Sequence, residues 1–571
     1  MLEGDRRKYF AYTAAFSALV FAVLVIIGEI RYLDFYTLNG DLGINMQELW
    51  STTHGFLLFE TSDYKRMGAI SHLEVHSSYI AVILAYLYLE FPFPITLFAV
   101  QDFFVAASII AFFFLSEMII GNAKFAFLIS LAYGSSAILF GAALYDYHWL
   151  SYVPLESFVF FILMMRKRFL LAFIMLVIGS LTQEIFPFVA ASITLYLFLE
   201  SREKPIFRIS NFRINSGLRY IFIGLMSLVF YVSLLYVQQH LLPYLLGNSV
   251  TIQYTQQRIT SEWTPGNYPI ATSLSSLAFW GIAYSLFLFL PALKPKHLIL
   301  MGAWMYESIF VQTFYGTLGD QYDFVTISLL APAAAMGLKV LLDRGESFAV
   351  KYLAFSTILG ISIISAFLID GFGLNIPGLK TLFYLVAVVL AIFVILYLLL
   401  YRRIVRADRI TKALPKMLVI FIVVLLSLNF IVSPLNPVND GRNNMAGYRI
   451  NFDIPPQSAY MQKIQSLVPH NSTIIASDNL FTIVANDPYA YSFYDSYPGP
   501  GQPLFFPYNS TNPSQFLLVD SSESGYIFQW VQVLLNSGTY HLELEITGTE
   551  YPGNIYLYNM HYNGTPEIIP T

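Results

Sequence analysis

Up to about residue 434 the chain is a succession of apolar runs of 15–25 residues separated by short polar segments. Beyond that point the pattern changes to short β-rich runs punctuated by turn residues. Runs of the first kind match helices that cross a hydrocarbon core ~30 Å thick. They fall near 10–30, 95–119, 125–143, 150–165, 169–184, 185–200, 219–239, 270–292, 298–317, 324–342, 351–369, 380–401 and 416–433, which predicts thirteen transmembrane helices. The run at 76–91 is read as an interfacial helix ended by Pro92 and Pro94. In the remainder, an amphipathic helix is expected near 456–467 and strands near 473–477, 516–520, 540–547 and 554–558. Turns are expected at the Pro-Gly-Pro-Gly of 498–501 and at Pro552-Gly553. The predicted architecture is an α-helical polytopic membrane domain over 1–433, with a first outer loop at 31–94, followed by a C-terminal extracytoplasmic α/β domain over 434–571.

Charge sets the orientation. Arg6, Arg7 and Lys8 precede the first run, which predicts a cytoplasmic N-terminus, and no small-residue cleavage site follows it. Alternating the thirteen runs puts 23 of the 31 basic residues on the cytoplasmic side, including Arg166-Lys167-Arg168, the Arg202–Arg219 loop and the Arg402–Lys416 loop. The tail carries three basic and eleven acidic residues and is placed outside the cytoplasm. Three sequons, at Asn471, Asn509 and Asn563, fall in this tail and agree with an external, glycosylated segment. Composition narrows the classes further. Only 12% of residues are charged, against about 25% in soluble domains. The net charge of −5 leaves no basic excess for nucleic acid, and the absence of cysteine removes disulfides, thiolate metal sites and cysteine nucleophiles.

Polar residues in otherwise apolar surroundings collect on one side of the predicted membrane. Asp41 lies in the first outer loop, His72, Glu74 and His76 close it, Asp146 and His148 end the third run, and Glu184 sits between the fifth and sixth. Each also has a plainer reading. Asp41 suits a helix cap, His76 an interfacial histidine, Asp146-Tyr147-His148-Trp149 an aromatic belt, and Glu184 a helix N-terminus.

At these residues the chain resembles a family of prokaryotic multispan membrane proteins known as a domain of unknown function (number 2079). The stretch Asn39-Gly40-Asp41-Leu42-Gly43-Ile44 through Trp50 is similar to that family's opening motif, and His76-Ser77-Ser78, Asp146-Tyr147-His148 and Gln183-Glu184 follow in its order. Weaker similarities are Gln321-Tyr322 before Pro332, then Ile474–Asn479 and Phe516–Ser521. Where the family carries further acids this chain has Met46 and Leu150, and the family's basic-acid-acid run reads Gln183-Glu184-Ile185.

The resemblance implies a branch of the GT-C glycosyltransferases, enzymes that take sugar from a polyprenyl-phosphate lipid and use an acid of the first outer loop. On that reading Asp41 and Glu184 are catalytic, and His76, Asp146, His148, Gln321 and Tyr322 bind substrate. His76, Asp146 and His148 are candidate ligands of a divalent metal. The bilayer, a polyprenyl-phosphate sugar donor and a glycan, lipid or protein acceptor are the expected partners. A membrane transporter and a non-catalytic anchor presenting a glycosylated surface domain are the competing readings.

Overall fold

A computed structural model describes residues 2–37, 39–201, 207–208, 213–214, 216–248, 270–371, 414–439, 448, 450, 452–493, 514–522, 525–548 and 551–571. The expected span at 380–401, most of the Arg402–Lys416 loop, the 498–501 turn and the sequon at Asn509 lie outside them.

The chain begins with the long helix α1 (Leu2–Leu33). A wide π turn at Asn39–Gly43 then leads into α2 (Ile44–Thr53), followed by α3 (Thr61–Met67), a 3-10 turn at His72–Glu74 and α4 (Ala81–Glu90). Glu60 caps α3 by accepting the N–H groups of Ser62 and Asp63, and Gly68 ends it in the left-handed conformation. α4 buries Ala81, Leu84, Ala85 and Tyr88, one helical face, and exposes Ile83, Tyr86, Leu87 and Leu89. Its ten residues make about 15 Å, half of a hydrocarbon core. Pro94 then opens α5 (Pro94–Ile120).

α5 returns antiparallel along α1. Arg6 pairs with Glu117 at 2.9 Å, the Ser17 hydroxyl donates to the Ala106 carbonyl, and Gly28 lies against the Phe98 ring. A Cβ at Gly28 would stand 2.9 Å from that ring, so the close crossing needs glycine.

Among the described residues five helices are long and apolar enough to cross a membrane: Gly4–Leu33, Pro94–Ile120, Gly217–Leu246, Asp323–Asp343 and Ser347–Ser365. A sixth arises if Ala123–Gly134 and Ala137–Ala143, bent by 47°, are one span. Other expected runs form helices of 10–17 residues, among them Trp149–Met165, Phe169–Thr182, Phe186–Glu200 and His297–Val311. Local breaks shorten them. The helix that starts at Ile270 stops at Ser285, before Leu288 and Phe289 take positive φ, and the helix from His297 widens into a π turn at Glu307–Val311. Helix Asp323–Asp343 is the most enclosed of the long helices, and a Cβ at its Gly337 would stand 1.8 Å from the Leu290 carbonyl oxygen.

Strands β1 (Phe207–Arg208) and β2 (Arg213–Ile214) pair between helices. The tail holds a six-stranded sheet in the order β4-β3-β5-β7-β6-β8, built from β3 (Ile474–Ala476), β4 (Ala490–Ser492), β5 (Phe516–Asp520), β6 (His541–Ile546), β7 (Ile555–Asn559) and β8 (Glu567–Ile569). β3 runs parallel to β4 and β5, and β7 is antiparallel to β5 and β6. The helix expected near 456–467 is a 3-10 turn at Pro456–Tyr460 continued by Met461–Leu467. Strands β4 and β8 and the helix Gly525–Asn536 are additions to the sequence expectation.

Alternation along β3 and β5 sends side chains to two cores. Ile475, Leu517 and Val519 pack with Val531 and Leu534 of helix Gly525–Asn536. Ile474, Ala476 and Leu518 instead share a core with Leu42, Met46, Leu49 and Leu73 of the first loop. Polar ties reinforce this contact. Gln47 Nε2 donates to the carbonyls of Asp487 and Ala490 at 2.7 and 3.0 Å, and the Tyr88 hydroxyl donates to Asn486 at 2.8 Å.

Candidate active site

The π turn puts Asp41 at the edge of a cavity of about 310 Å3, between the first loop, the 145–149 segment and the 314–322 segment. Asp41, His76, His148, Gln321 and Tyr322 all line it, together with Asp63, Arg66, His72, Tyr145 and Asp320. The cap preceding α2 is Gly43, and no side chain caps that helix, so the Asp41 carboxylate does not serve as its cap. The Asp41 carbonyl is held by the Asn45 amide at 2.7 Å, which fixes the turn.

The two remaining expected site residues stand behind the wall. Glu184 approaches Nδ1 of His76 with Oε1 at 2.8 Å and accepts the Ser77 N–H with Oε2 at 2.9 Å. It joins the first loop to the turn between helices Phe169–Thr182 and Phe186–Glu200 and holds the His76 ring. Asp146 is not among the lining residues and forms an ion pair with Arg31 at 3.2 Å, both side chains being 1% exposed. The Arg31 guanidinium also donates to the carbonyls of Tyr36 and Tyr145, so this pair ties the end of α1 to the 145–146 segment.

The expected metal set of His76, Asp146 and His148 does not come together. Asp146 pairs with Arg31, Glu184 lies at Nδ1 of His76, the Leu150 N–H donates to Nδ1 of His148, and the ligand atoms of the three do not converge. Among the described residues, the group whose ligand atoms do converge is Glu60, Asp63 and His72. Within it Glu60 caps α3, and Asp63 lies 2.8 Å from His72 Nδ1.

Electrostatically the cavity is two-sided. Burial pushes the Asp41 carboxyl well above its ordinary value, and the carboxylates of Asp146, Asp320 and Asp478 push it further, with the Arg66 guanidinium opposing them. Asp320 is lifted to about 7 by burial, against the hydrogen bond from the Tyr322 N–H. On the other wall burial opposes a charge on His72, but Glu48 and Asp63 outweigh it and lift the imidazole to about 9, which makes it a cation at neutral pH. Burial, with His76 and His72 nearby, holds His148 down to about 3, as a neutral ring. The buried Gln321 Oε1 makes no hydrogen bond.

Sequence reasoning did not assign Asp63, Arg66, Tyr145 or Asp320 to the site, and it noted His72 only as closing the loop. The four-residue spacing of His72 and His76, whose ring centroids lie 5.2 Å apart, was a readable signal, as was Asp320 directly before Gln321-Tyr322.

Fold and site together define a multispan membrane protein with a polar cavity enclosed by its first loop, the 145–149 segment and the 314–322 segment. The crystal structure of ArnT from Cupriavidus metallidurans bound to undecaprenyl phosphate matches it with a TM-score of 0.52 at 12% identity, over 96% of this chain and 99% of that one. The apo state of the same protein gives 0.48 at 12% identity, over 95% and 97%. The chain belongs to the family described as "Predicted membrane protein (DUF2079)", which matches residues 31–372. No curated protein matches its sequence.

Proposed function

We propose that the Asp41 cavity is the active site of a glycosyltransferase that moves a sugar from a polyprenyl-phosphate donor to an acceptor hydroxyl on the extracytoplasmic face. The observation that carries this reading is the presence, in one cavity, of the raised Asp41 carboxyl together with the Arg66 and His72 side chains. Similarity of fold to ArnT, whose structure holds undecaprenyl phosphate, supports the donor class.

In the reaction the acceptor oxygen bonds to the anomeric carbon while the bond from that carbon to the phosphate oxygen breaks. Asp41 takes the acceptor's proton, for which a carboxyl of raised pKa is the stronger base. The departing polyprenyl phosphate carries the negative charge, and protonated His72, with Arg66, supplies the opposing charge. Glu184 orients His76 toward the substrate, and Gln321 offers its amide oxygen to a sugar or acceptor hydroxyl. On this reading Asp146 is a positioning residue acting through Arg31.

The topology belongs to the same proposal: thirteen membrane passages, an N-terminus in the cytoplasm and a tail outside, where Asn471 and Asn563 are exposed as glycosylation acceptors require.

The test uses the purified chain in lipid nanodiscs with polyprenyl-phosphate sugars labelled in the sugar. Release of polyprenyl phosphate together with a labelled acceptor supports the proposal. Donors that bind and are recovered intact with every acceptor class overturn it and favour the transporter or anchor readings.

A further inference from the structure

Helix α2 separates two cavities. Ile44 and Asn45 face the one around Asp41, while Met46 and Trp50 face another of about 670 Å3. That volume lies within the roughly 300–1,000 Å3 typical of small-molecule sites. Because α1 and α5 run antiparallel in contact, the Leu33 end of α1 and the Pro94 start of α5 lie at the same membrane boundary. The larger cavity sits at that boundary.

Its two sides differ in chemistry. Tyr32 and Leu33 of α1 and the Pro92–Ile95 segment form an apolar side, with Phe93 57% and Ile95 40% exposed. The tail supplies an opposite side bearing Gln462, Gln465 and Asn486. Among the described residues no lysine or arginine lines it, the carboxylates there are Glu29 and Asp487, and His470 is the one imidazole. Asp487 already accepts the N–H groups of Asn471 and Tyr489, whereas the buried Oε2 of Glu29 has no hydrogen-bond partner. A buried acceptor without a donor costs about 1–3 kcal/mol unless a ligand satisfies it. A phosphate headgroup would meet these carboxylates with the His470 imidazole, and no lysine or arginine among the described residues, to draw it in. A hydroxyl-bearing headgroup would give Glu29 its donor and meet the Gln462 amide on the facing wall, where Asn486 and the Gln465 N–H are already bonded to Tyr88, Pro92 and Ile483.

We propose that this cavity binds the uncharged, hydroxyl-rich headgroup of a lipid that enters from the bilayer, with a hydroxyl donating to Glu29 and the acyl chains leaving along Phe93 and Ile95. The site stands apart from the Asp41 cavity, and the inference does not depend on the transfer reaction.

The experiment photolabels the full chain in phosphatidylcholine nanodiscs. One probe is a monoglucosyl diacylglycerol with a diazirine near the glycerol; the other is a phosphatidylglycerol with the same chains. The glucolipid is expected to label peptides around 93–95 and 458–465 several-fold more than the anionic probe. Glu29→Leu should cut that labelling about tenfold, the effect of one hydrogen bond to a charged group. Ala459→Trp and, independently, Gln462→Trp fill the cavity from exposed positions and should abolish it. Equal or stronger labelling by phosphatidylglycerol, or labelling that persists in both tryptophan variants, overturns the proposal.

Discussion

Nδ1 of His76 and Oε1 of Glu184 lie 2.8 Å apart although 108 positions separate the two residues. Glu184 is 1% exposed, so its charge is balanced mainly by what the first loop brings to it. Glu184→Gln keeps the shape and removes the charge. It should destabilise the detergent-solubilised protein by about 1.5–3 kcal/mol, the worth of a hydrogen bond to a charged group, measured as a fall in thermal midpoint. An unchanged midpoint would mean that the pair does not hold the loop.

His72 makes stability depend on pH at the alkaline side. Its imidazole is lifted to about 9 in the folded chain, against ~6.5 when unfolded. The group therefore contributes its full stabilisation below about pH 6.5 and loses it as pH rises through about 9. Asp63, held below its ordinary value through its bonds to His72 against the effect of burial, contributes in the opposite sense and is lost in acid. Thermal midpoints taken from pH 6 to 10 should fall for the wild type, and the fall should flatten in His72→Gln.

The transfer rate should report Asp41 from the acid side. A general base works only when ionised, so the rate falls as pH drops through the raised pKa of Asp41. The acid limb of kcat/KM is expected well above the ordinary carboxylate value of ~4. Asp320→Asn removes one of the charges that raise Asp41 and should move that limb to lower pH. A limb that stays in place excludes the coupling.

The proposed topology is checked in this cysteine-free chain with single cysteines and an impermeant thiol reagent. Lys124→Cys and Asn563→Cys are both exposed positions. Asn563→Cys should label in intact cells and Lys124→Cys only after lysis. Labelling of Lys124→Cys from outside contradicts the topology, and with Asn563→Cys protected until lysis it would make the run at 76–91 a fourteenth passage.

Periodicity made the helices legible, because a run of apolar residues needs only local sequence to be seen. Their lengths were not, since the break after Ser285 and the π turn at Glu307 fall inside runs that each read as one apolar span. Strands β3, β5, β6 and β7 were readable as β-rich runs, β3 through Thr473-Ile474-Ile475, whereas β4 and β8, also three residues each, hold no such run of three β-branched residues. At the site, Asp41, His76 and His148 were visible as polar residues in apolar surroundings, and they line one cavity. Asp146 looked equivalent in sequence but turns to Arg31, a partner 115 positions away that no local pattern shows. His72 gains its charge from Glu48 and Asp63, which only the folding of α2 and α3 brings beside it.

The central claim is that Asp41 accepts the acceptor's proton, and Asp41→Asn tests it most directly. The substitution is nearly isosteric and α2 has no side-chain cap to lose, so thermal stability should stay close to wild type. Loss of a general base costs roughly 10²–10⁴-fold in rate. Sugar transfer from a labelled polyprenyl-phosphate donor, measured in nanodiscs for the wild type and Asp41→Asn side by side, is predicted to fall by that factor while donor binding persists. Transfer by a folded Asp41→Asn protein at the wild-type rate would contradict the account.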